Sequence, residues 1–154
     1  MSRIETRLAE LGIILPTPMA PVANYVAFVV SGDLVVVSGQ IPARDGKVAY
    51  TGKLGDAVPL EVGVQAAQLC FINVLAQLRV ACGGDLDRVQ QVIRLGGFIA
   101  ATAEFVQHAL VMNGASDMAV AVFDDAGRHA RSTIGVPSLP LDAAVEVEGM
   151  FRIS

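Results

Sequence analysis

A cluster of charged and polar side chains lies at residues 127–132, directly before a stretch that predicts a β-strand. The cluster contains Arg131, and an arginine in such a place can bind a carboxylate through two parallel hydrogen bonds. The same composition is also typical of a solvated turn, because turns are commonly polar. The residues alone favour the turn, and carboxylate binding by Arg131 stands as the alternative.

A second candidate is the alternating segment VEVE at residues 145–148. The two-residue period of a strand places Glu146 and Glu148 on one face and the valines on the other. Two glutamates on a sheet face usually mark the solvated side. If that face is covered, a buried carboxylate must be paired or protonated, with Arg131 as the candidate partner. A carboxylate in this setting could activate a water molecule.

Other kinds of chemistry have little support in the sequence. The two histidines, His108 and His129, have no cysteine or carboxylate at metal-ligand spacing. Motifs for phosphate loops, dinucleotide binding and serine hydrolases are absent. Cys70 and Cys82 fall within one helical pattern, where small buried side chains are more common than nucleophiles. We therefore predict no metal and no cofactor.

The composition limits the class of protein. The 154 residues are 53% apolar and 17% charged, with a net charge of −4, and their number predicts one domain spanning residues 1–154. This charge argues against nucleic-acid binding, which depends mainly on neutralising phosphates. The longest apolar run, residues 25–30, is far shorter than the ~20 residues that span a bilayer. Residues 2–11 also lack the apolar stretch of a secretory signal. We expect a cytoplasmic protein without a membrane or nucleic-acid partner.

Hydrophobic spacing predicts the elements that position these residues. In the first half of the chain they are a helix at residues 3–11, a loop containing Pro16, Pro18 and Pro21, a hairpin of strands at residues 25–30 and 34–37, and a weak strand at residues 48–50. Residues 1–21 therefore form a helix and a proline-rich loop that precede the first strand.

The second half of the chain predicts two long helices and three strands. They are a core helix over Leu60–Ala81 ended by Gly83 and Gly84, a strand over Val89–Ala100 with a bulge at Gly96 and Gly97, a helix over residues 104–123 interrupted near Asn113 and Gly114, and strands over Ala130–Val136 and residues 143–152. This order predicts an α+β fold.

The predicted sheet is more apolar than one layer of helices can cover. Residues 34–37 and the run from Ile93 to Ile99 are apolar on both faces, and such strands need cover on both sides. Two long helices can cover only one face of a five- or six-stranded sheet. We therefore expect the other face to meet another copy of the chain.

Several of these segments, taken in order, resemble the YjgF/RidA family. They are SGQIP at residues 38–42, Arg131, LP at residues 139–140 and VEVE at residues 145–148. NVLA at residues 73–76, GDLDRV at residues 84–89, NGASD at residues 113–117 and GRHARS at residues 127–132 are similar to a longer branch of that family. The resemblance covers the chain from about Tyr25 to its end.

This resemblance implies a chorismate mutase-like fold assembled as a homotrimer, with a cleft between each pair of subunits. It implies that Arg131 binds a substrate carboxylate and that Glu146 lies near a water molecule. The cleft would also be lined by Tyr25, Ser38, Gly39, Asn113 and Thr133, the last through its backbone N–H. Two positions depart from the deaminating branch, which often has cysteine at Thr133 and glutamate at Gly135.

The activity implied by the resemblance is hydrolysis of enamines or imines, such as 2-aminoacrylate, to 2-ketoacids and ammonia. Orientation and modest charge stabilisation suffice for this reaction, so no cofactor is implied. Thr133 and Gly135 leave a second hypothesis open, a regulatory trimer that binds a carboxylate-bearing metabolite without turnover. Endoribonuclease activity or translation inhibition is a third, and the acidic balance weighs against it.

Overall fold

The computed structural model describes residues 1–18, 20–21 and 23–154 of the chain. Its strands are β1 (Phe28–Ser31), β2 (Leu34–Gln40), β3 (Ala43–Arg44), β4 (Lys47–Val48), β5 (Val89–Ala100), β6 (Ala130–Val136) and β7 (Val145–Ile153). Five of them form one sheet in the order β1-β2-β7-β5-β6, and β3 pairs with β4 in a small hairpin. Of the strand pairs in the described part of the chain, only β5–β6 is parallel.

The helices are α1 (Arg3–Glu10), α2 (Leu60–Ala81) and α3 (His108–Phe123). Helix α2 contacts β2 and β7, whereas α3 contacts β5, β6 and α2. The inward side chains of the sheet meet these two helices in one hydrophobic cluster, which includes Val35, Leu95, Val147 and Phe151. This α+β arrangement, with both long helices on one face of a five-stranded sheet, agrees with the prediction.

The order of elements and most of their bounds agree with the sequence-based expectation, but four details were wrong. Strand β1 begins at Phe28, so Tyr25 precedes it. The weak strand predicted at residues 48–50 is the two-residue strand β4, which ends at Val48. Helix α3 begins at His108, not at residue 104, and it continues without interruption through Asn113 and Gly114.

The fourth difference is the predicted bulge at Gly96 and Gly97, which pair in register with β7. The register of β5 shifts instead between Val89 and Gln91 and between Val92 and Arg94. Glycine is needed at 96 and 97 for space: a Cβ at Gly97 would collide with the Met112 side chain of α3, and one at Gly96 with that of Glu148. The glycines allow close packing on both faces of β5.

Helix α2 is apolar because it is the central helix of the core. By length and composition it could cross a membrane, yet 56% of its most apolar stretch is buried inside the fold. The helix contains no long uninterrupted apolar run, because polar residues such as Gln65 and Asn73 interrupt it. Cys70 of α2 and the nearby Cys82 are both buried and free, as predicted.

The N-terminal helix is fixed to the body by its cap and its buried face. Ser2 and Glu5 form a capping box, and the Asp87 carboxylate accepts hydrogen bonds from the backbone N–H groups of Arg3 and Ile4 at 2.8 and 2.7 Å. Ile4 and Leu8 are buried. Among the described residues 12–27, no helix or strand follows it, in agreement with the predicted loop; Met19 and Val22 lie outside the described residues.

The face of the sheet opposite the helices carries a mixture of apolar and charged side chains. Val29 is 53% exposed, Val36 39% and Ile134 52%, and Met150 lies between β2 and β5 on the same face. Arg94 and Glu148 form an ion pair there at 3.4 Å. Partly exposed valine and isoleucine side chains across three strands are typical of a surface that becomes covered on association.

Close packing of α2 on α3 depends on Gly114, where a Cβ would collide with the backbone carbonyl oxygen of Val64. We expect Gly114→Ala to destabilise the protein by about 1–3 kcal/mol because the helices must separate, although alanine alone favours a helix by about 1 kcal/mol. Urea unfolding measures the change. Asp117→Ala, at an exposed position of α3, is the control and should be neutral or slightly stabilising. Equal stability of Gly114→Ala and the parent protein would contradict this account of the helix contact.

Candidate functional site

The predicted site residues fall into two groups in the structure. The first group lines a cavity of about 990 Å³ beside the second half of β2. This part of β2 extends past Val37, the residue that pairs with the first residue of β1. Tyr25, Gly39 and Glu146 all contribute to its wall. The rest of the wall comes partly from the N-terminal loop and from α2, including Ile13, Pro16, Leu69 and Ile72. The N-terminal loop is therefore a wall of the candidate site, which the sequence did not indicate.

A bulge in β2 shapes this cavity. Val37 pairs with Gly149 and Gln40 with Val147, so β2 has one residue more than β7 between these pairs. The Glu146 side chain lies against the backbone at Gly39, where a Cβ would collide with its carboxylate. Glycine at 39 is therefore required for the carboxylate to reach the cavity, and bulges of this kind often place a side chain at a functional site.

Burial raises the pKa of the Glu146 carboxyl, and the nearby negative charge of Glu148 raises it further. Desolvation disfavours the charged form, and a second carboxylate has the same effect. Among the described residues no cation or N–H donor pairs with Glu146. A partly buried carboxylate of raised pKa in a cavity is suited to accept a proton from water near neutral pH.

Ser38 supports the loop before β1. Its hydroxyl donates to the backbone carbonyl of Val26 at 2.7 Å, and its N–H donates to that of Ala27 at 2.8 Å. The hydroxyl proton of Ser38 is thus occupied, and only its oxygen lone pairs are available to a ligand. Tyr25, close to this loop, is 55% exposed.

The second group lies between β6 and α3, around the guanidinium of Arg131. Its Nη1 donates to Asn113 Oδ1 at 2.9 Å and to Ser116 Oγ at 3.0 Å, and its Nη2 donates to the Ala109 carbonyl at 3.3 Å. These three acceptors lie along one side of α3. An arginine side chain has five N–H donors, and three of those of Arg131 are used in these hydrogen bonds. The other two have no partner among the described residues, and a carboxylate accepts two hydrogen bonds from an arginine.

Ser116 and His129 extend this network. His129 Nδ1 lies 2.6 Å from the Gly127 carbonyl oxygen and therefore donates to it. In the neutral imidazole Nε2 is then an acceptor, so the Ser116 hydroxyl, 2.9 Å away, donates to it. The Ser116 oxygen is left facing Arg131 as an acceptor. Both residues belong to the segments on which the resemblance rests, but nothing in their spacing indicated that they support Arg131.

Thr133 and His108 also lie between β6 and α3. Arg131, Thr133 and Gly135 point to the same side of β6, toward α3, because side chains alternate along a strand. The buried Thr133 Oγ1 has no hydrogen-bond partner in the part of the chain that the structure describes. The His108 imidazole fills the space above Gly135, where a Cβ would collide with Nε2. In the sequence His108 was a candidate only for metal binding, and no pattern predicted its position here.

Within one chain the two groups do not meet. Glu146 pairs with Phe98 of β5, and Phe98 pairs with Ile134 of β6, so these three side chains share the open face of the sheet. Arg131 and Ile134 are three residues apart and point to opposite faces. Two strand spacings, about 10 Å, also separate β7 from β6. The predicted pairing of Arg131 with a glutamate was therefore wrong for a single chain, in which Glu148 pairs with Arg94.

No group of three or more potential metal ligands occurs among residues 1–18, 20–21 and 23–154. The chemistry available in the two groups is thus that of a guanidinium with free donors, a carboxyl of raised pKa, and the side chains of Thr133 and His108, which can donate hydrogen bonds. Such groups can bind an anion, orient it and exchange protons with it.

We expect Gly39→Ala to move the Glu146 carboxyl out of its partly buried position, because a methyl group would occupy that space. Exposure to water removes the main cause of the raised pKa, so the pKa of Glu146 should fall toward its ordinary value. NMR titration of ¹³C-labelled glutamate carboxyls measures this change. The same titration of the parent protein is the reference. An unchanged pKa of Glu146 would show that Gly39 does not set its position.

Residues 5–151 match the family model described as "YjgF/chorismate mutase-like, putative endoribonuclease". Protein TCP17 of Trypanosoma cruzi is 42% identical over 153 residues, which cover 99% of this chain and 95% of that protein. The crystal structure of Atu1372 from Agrobacterium tumefaciens, a protein of unknown function, is 46% identical with a TM-score of 0.93, covering 98% of this chain and 92% of that one.

A structure from Shewanella oneidensis, which carries the same endoribonuclease description, is 34% identical with a TM-score of 0.95, covering 99% of this chain and all of that one. The YjgF protein of Escherichia coli, 23% identical, shares the fold with a TM-score of 0.63. The first two structures extend over the N-terminal helix and loop as well as the sheet. On the family match and these relatives together, the chain belongs to the YjgF/chorismate mutase-like family.

Proposed function

We propose that this protein hydrolyses enamines or imines of small carboxylic acids, such as 2-aminoacrylate, to 2-ketoacids and ammonia. The observation that carries the proposal is Arg131: three acceptors on α3 hold its guanidinium and leave two N–H donors available. A guanidinium held in one orientation loses little entropy when it binds a carboxylate. It is suited to dock the carboxylate of such a substrate.

The reaction requires a proton acceptor near the electrophilic carbon. An enamine first tautomerises to its imine; water then adds to the C=N carbon, giving its proton to a base while the nitrogen gains a proton. Collapse of the resulting carbinolamine forms the ketone and releases ammonia. Glu146, with a raised pKa and no cationic partner among the described residues, is the candidate base.

This chemistry brings Arg131 and Glu146 to one substrate, whereas a single chain holds them on opposite faces of the sheet. We propose that the site is complete only between copies, with Arg131, Asn113 and Thr133 from one subunit and Tyr25, Ser38, Gly39 and Glu146 from another. Partly exposed Val36 and Ile134 on the open sheet face support association through that face. The family resemblance favours three copies in a ring.

A second candidate is a trimer that binds a carboxylate-bearing metabolite without turning it over. Thr133 favours it, because the buried hydroxyl without a partner provides a ligand-binding group rather than a nucleophile. RNA cleavage has weaker support, since a net charge of −4 opposes phosphate binding. Release of 2-ketoacid from an imine generated in situ separates the first candidate from the second.

Hybrid oligomers test whether two subunits share one site. Arg131→Ala and Glu146→Gln should each lower ketoacid release by about 10²-fold or more, through loss of docking or of the base. When both variants are co-expressed and their subunits assemble at random into rings, one interface in four receives both intact residues. The mixture should therefore recover about a quarter of the parent rate. Ketoacid release, corrected for the uncatalysed rate, measures the recovery.

The matched control is co-expression of Arg131→Ala with Arg131→Gln, which damages the same half of the site in every subunit and should restore nothing. If each site were instead formed by a single chain, neither mixture would recover activity. Full activity of both single variants would instead remove Arg131 and Glu146 from the mechanism.

The pH dependence of kcat/KM tests the role of Glu146. Its ordinary pKa of 4.5 is raised by burial and by Glu148, so the reactive carboxylate is lost as the pH falls through a value above 4.5. We expect an acidic limb at that higher pH. Glu148→Gln should move the limb to lower pH because it removes a negative charge, and Glu146→Gln should abolish it. A limb that neither substitution changes would assign the titration to another group.

A further inference from the structure

Beyond Arg131, between β6 and α3, lie two polar groups that have no hydrogen-bond partner among the described residues. Thr133 Oγ1 is buried and makes no hydrogen bond among the described residues. A buried hydroxyl without a partner costs free energy comparable to that of a lost hydrogen bond, so native proteins rarely retain one unless a ligand or water completes it. Thr133 is two residues from Arg131 on the same face of β6.

His108 is the second such group. Its ring packs edge-on against Phe105, with 5.1 Å between the ring centroids, and its Nε2 lies above Gly135. None of the hydrogen bonds or ion pairs in the described part of the chain involves the His108 side chain. Gly135 gives the imidazole its place, because any side chain there would occupy the same space.

The backbone connects these groups to the guanidinium. Arg131 Nη2 donates to the carbonyl of Ala109, the residue after His108. The side of β6 that faces α3 therefore presents Arg131, Thr133 and then the His108 ring above Gly135, within about 13 Å along the strand by the usual rise per residue. Each of the three side chains can donate a hydrogen bond, and the β6 residues of this face carry no negative charge.

We propose that Thr133 and His108 form a subsite for a second carboxylate, so that the preferred substrates are imines of 2-ketoacids with two carboxylates. A carboxylate only accepts hydrogen bonds, which matches the hydroxyl and imidazole donors, and a cationic guanidinium nearby favours a second negative charge. This inference rests on the proposed function for Arg131, whose free donors bind the first carboxylate. Thr133 and His108 are thereby specificity-determining residues.

Calorimetric titration of the whole protein with two stable ketoacids tests the subsite. 2-Oxoglutarate and 2-oxopentanoate have the same five-carbon skeleton and differ in the second carboxylate. We expect 2-oxoglutarate to bind about ten-fold more tightly, the usual effect of hydrogen bonds to a charged group. His108→Phe, which keeps the ring packing, should reduce this preference several-fold and leave the affinity for 2-oxopentanoate unchanged. Thr133→Val, which keeps the shape, should also reduce the preference several-fold.

Thr6→Val is the control, since Thr6 is exposed in α1 and donates only to the backbone of Ser2. Equal affinities of the parent protein for the two ketoacids, or a preference that survives both substitutions, would overturn the subsite. If Arg131→Ala leaves the binding of 2-oxopentanoate unchanged, the carboxylate-docking role of Arg131 fails as well. A subsite failure alone leaves Arg131-dependent binding of both ketoacids intact, so the two outcomes are distinguishable.

Discussion

The alternation of side chains along β6 and β7 is the constraint on which the candidate site depends. It directs Arg131 toward α3 and Glu146 toward the open face, and β5 separates the two strands. No rotamer change brings the two groups together, because the sheet itself lies between them. A chemistry that uses both a guanidinium and a carboxylate must therefore recruit a second copy of the chain. Under the proposed function, activity would depend on association, because an interface that covers the apolar sheet face would also complete the site.

Each half of the site is held by a different part of the fold. The carboxylate half depends on a bulge and on Gly39, which allow the Glu146 side chain to cross β2 into the cavity. The guanidinium half depends on helix α3, whose Asn113, Ser116 and Ala109 carbonyl hold Arg131. Helix α3 in turn approaches α2 closely at Gly114. The close contact of α3 with α2 at Gly114 thus helps to determine where the guanidinium of Arg131, on the edge strand β6, can lie.

The pattern of hydrophobic residues was sufficient to predict the α+β fold and the bounds of α2, β5 and β6, because these elements are long and strongly periodic. It failed where local signals compete with packing. Asn113 and Gly114 suggested a break in α3, but the contact with α2 keeps the helix continuous. Gly96 and Gly97 suggested a bulge, but they provide space for Glu148 and Met112. In an amino-acid sequence, a glycine that is needed for a turn or bulge cannot be distinguished from one that leaves space for a neighbouring side chain.

The sequence by itself determined the class of fold, the two buried cysteines and the candidate residues Arg131 and Glu146, since these follow from residue type, spacing and family resemblance. Only the tertiary structure decided which of them share a surface. It placed His108 above Gly135, joined Ser116 and His129 to Arg131, and lined the cavity with the N-terminal loop. These contacts join residues from different elements, and their geometry depends on how the helices pack on the sheet, which no local pattern encodes.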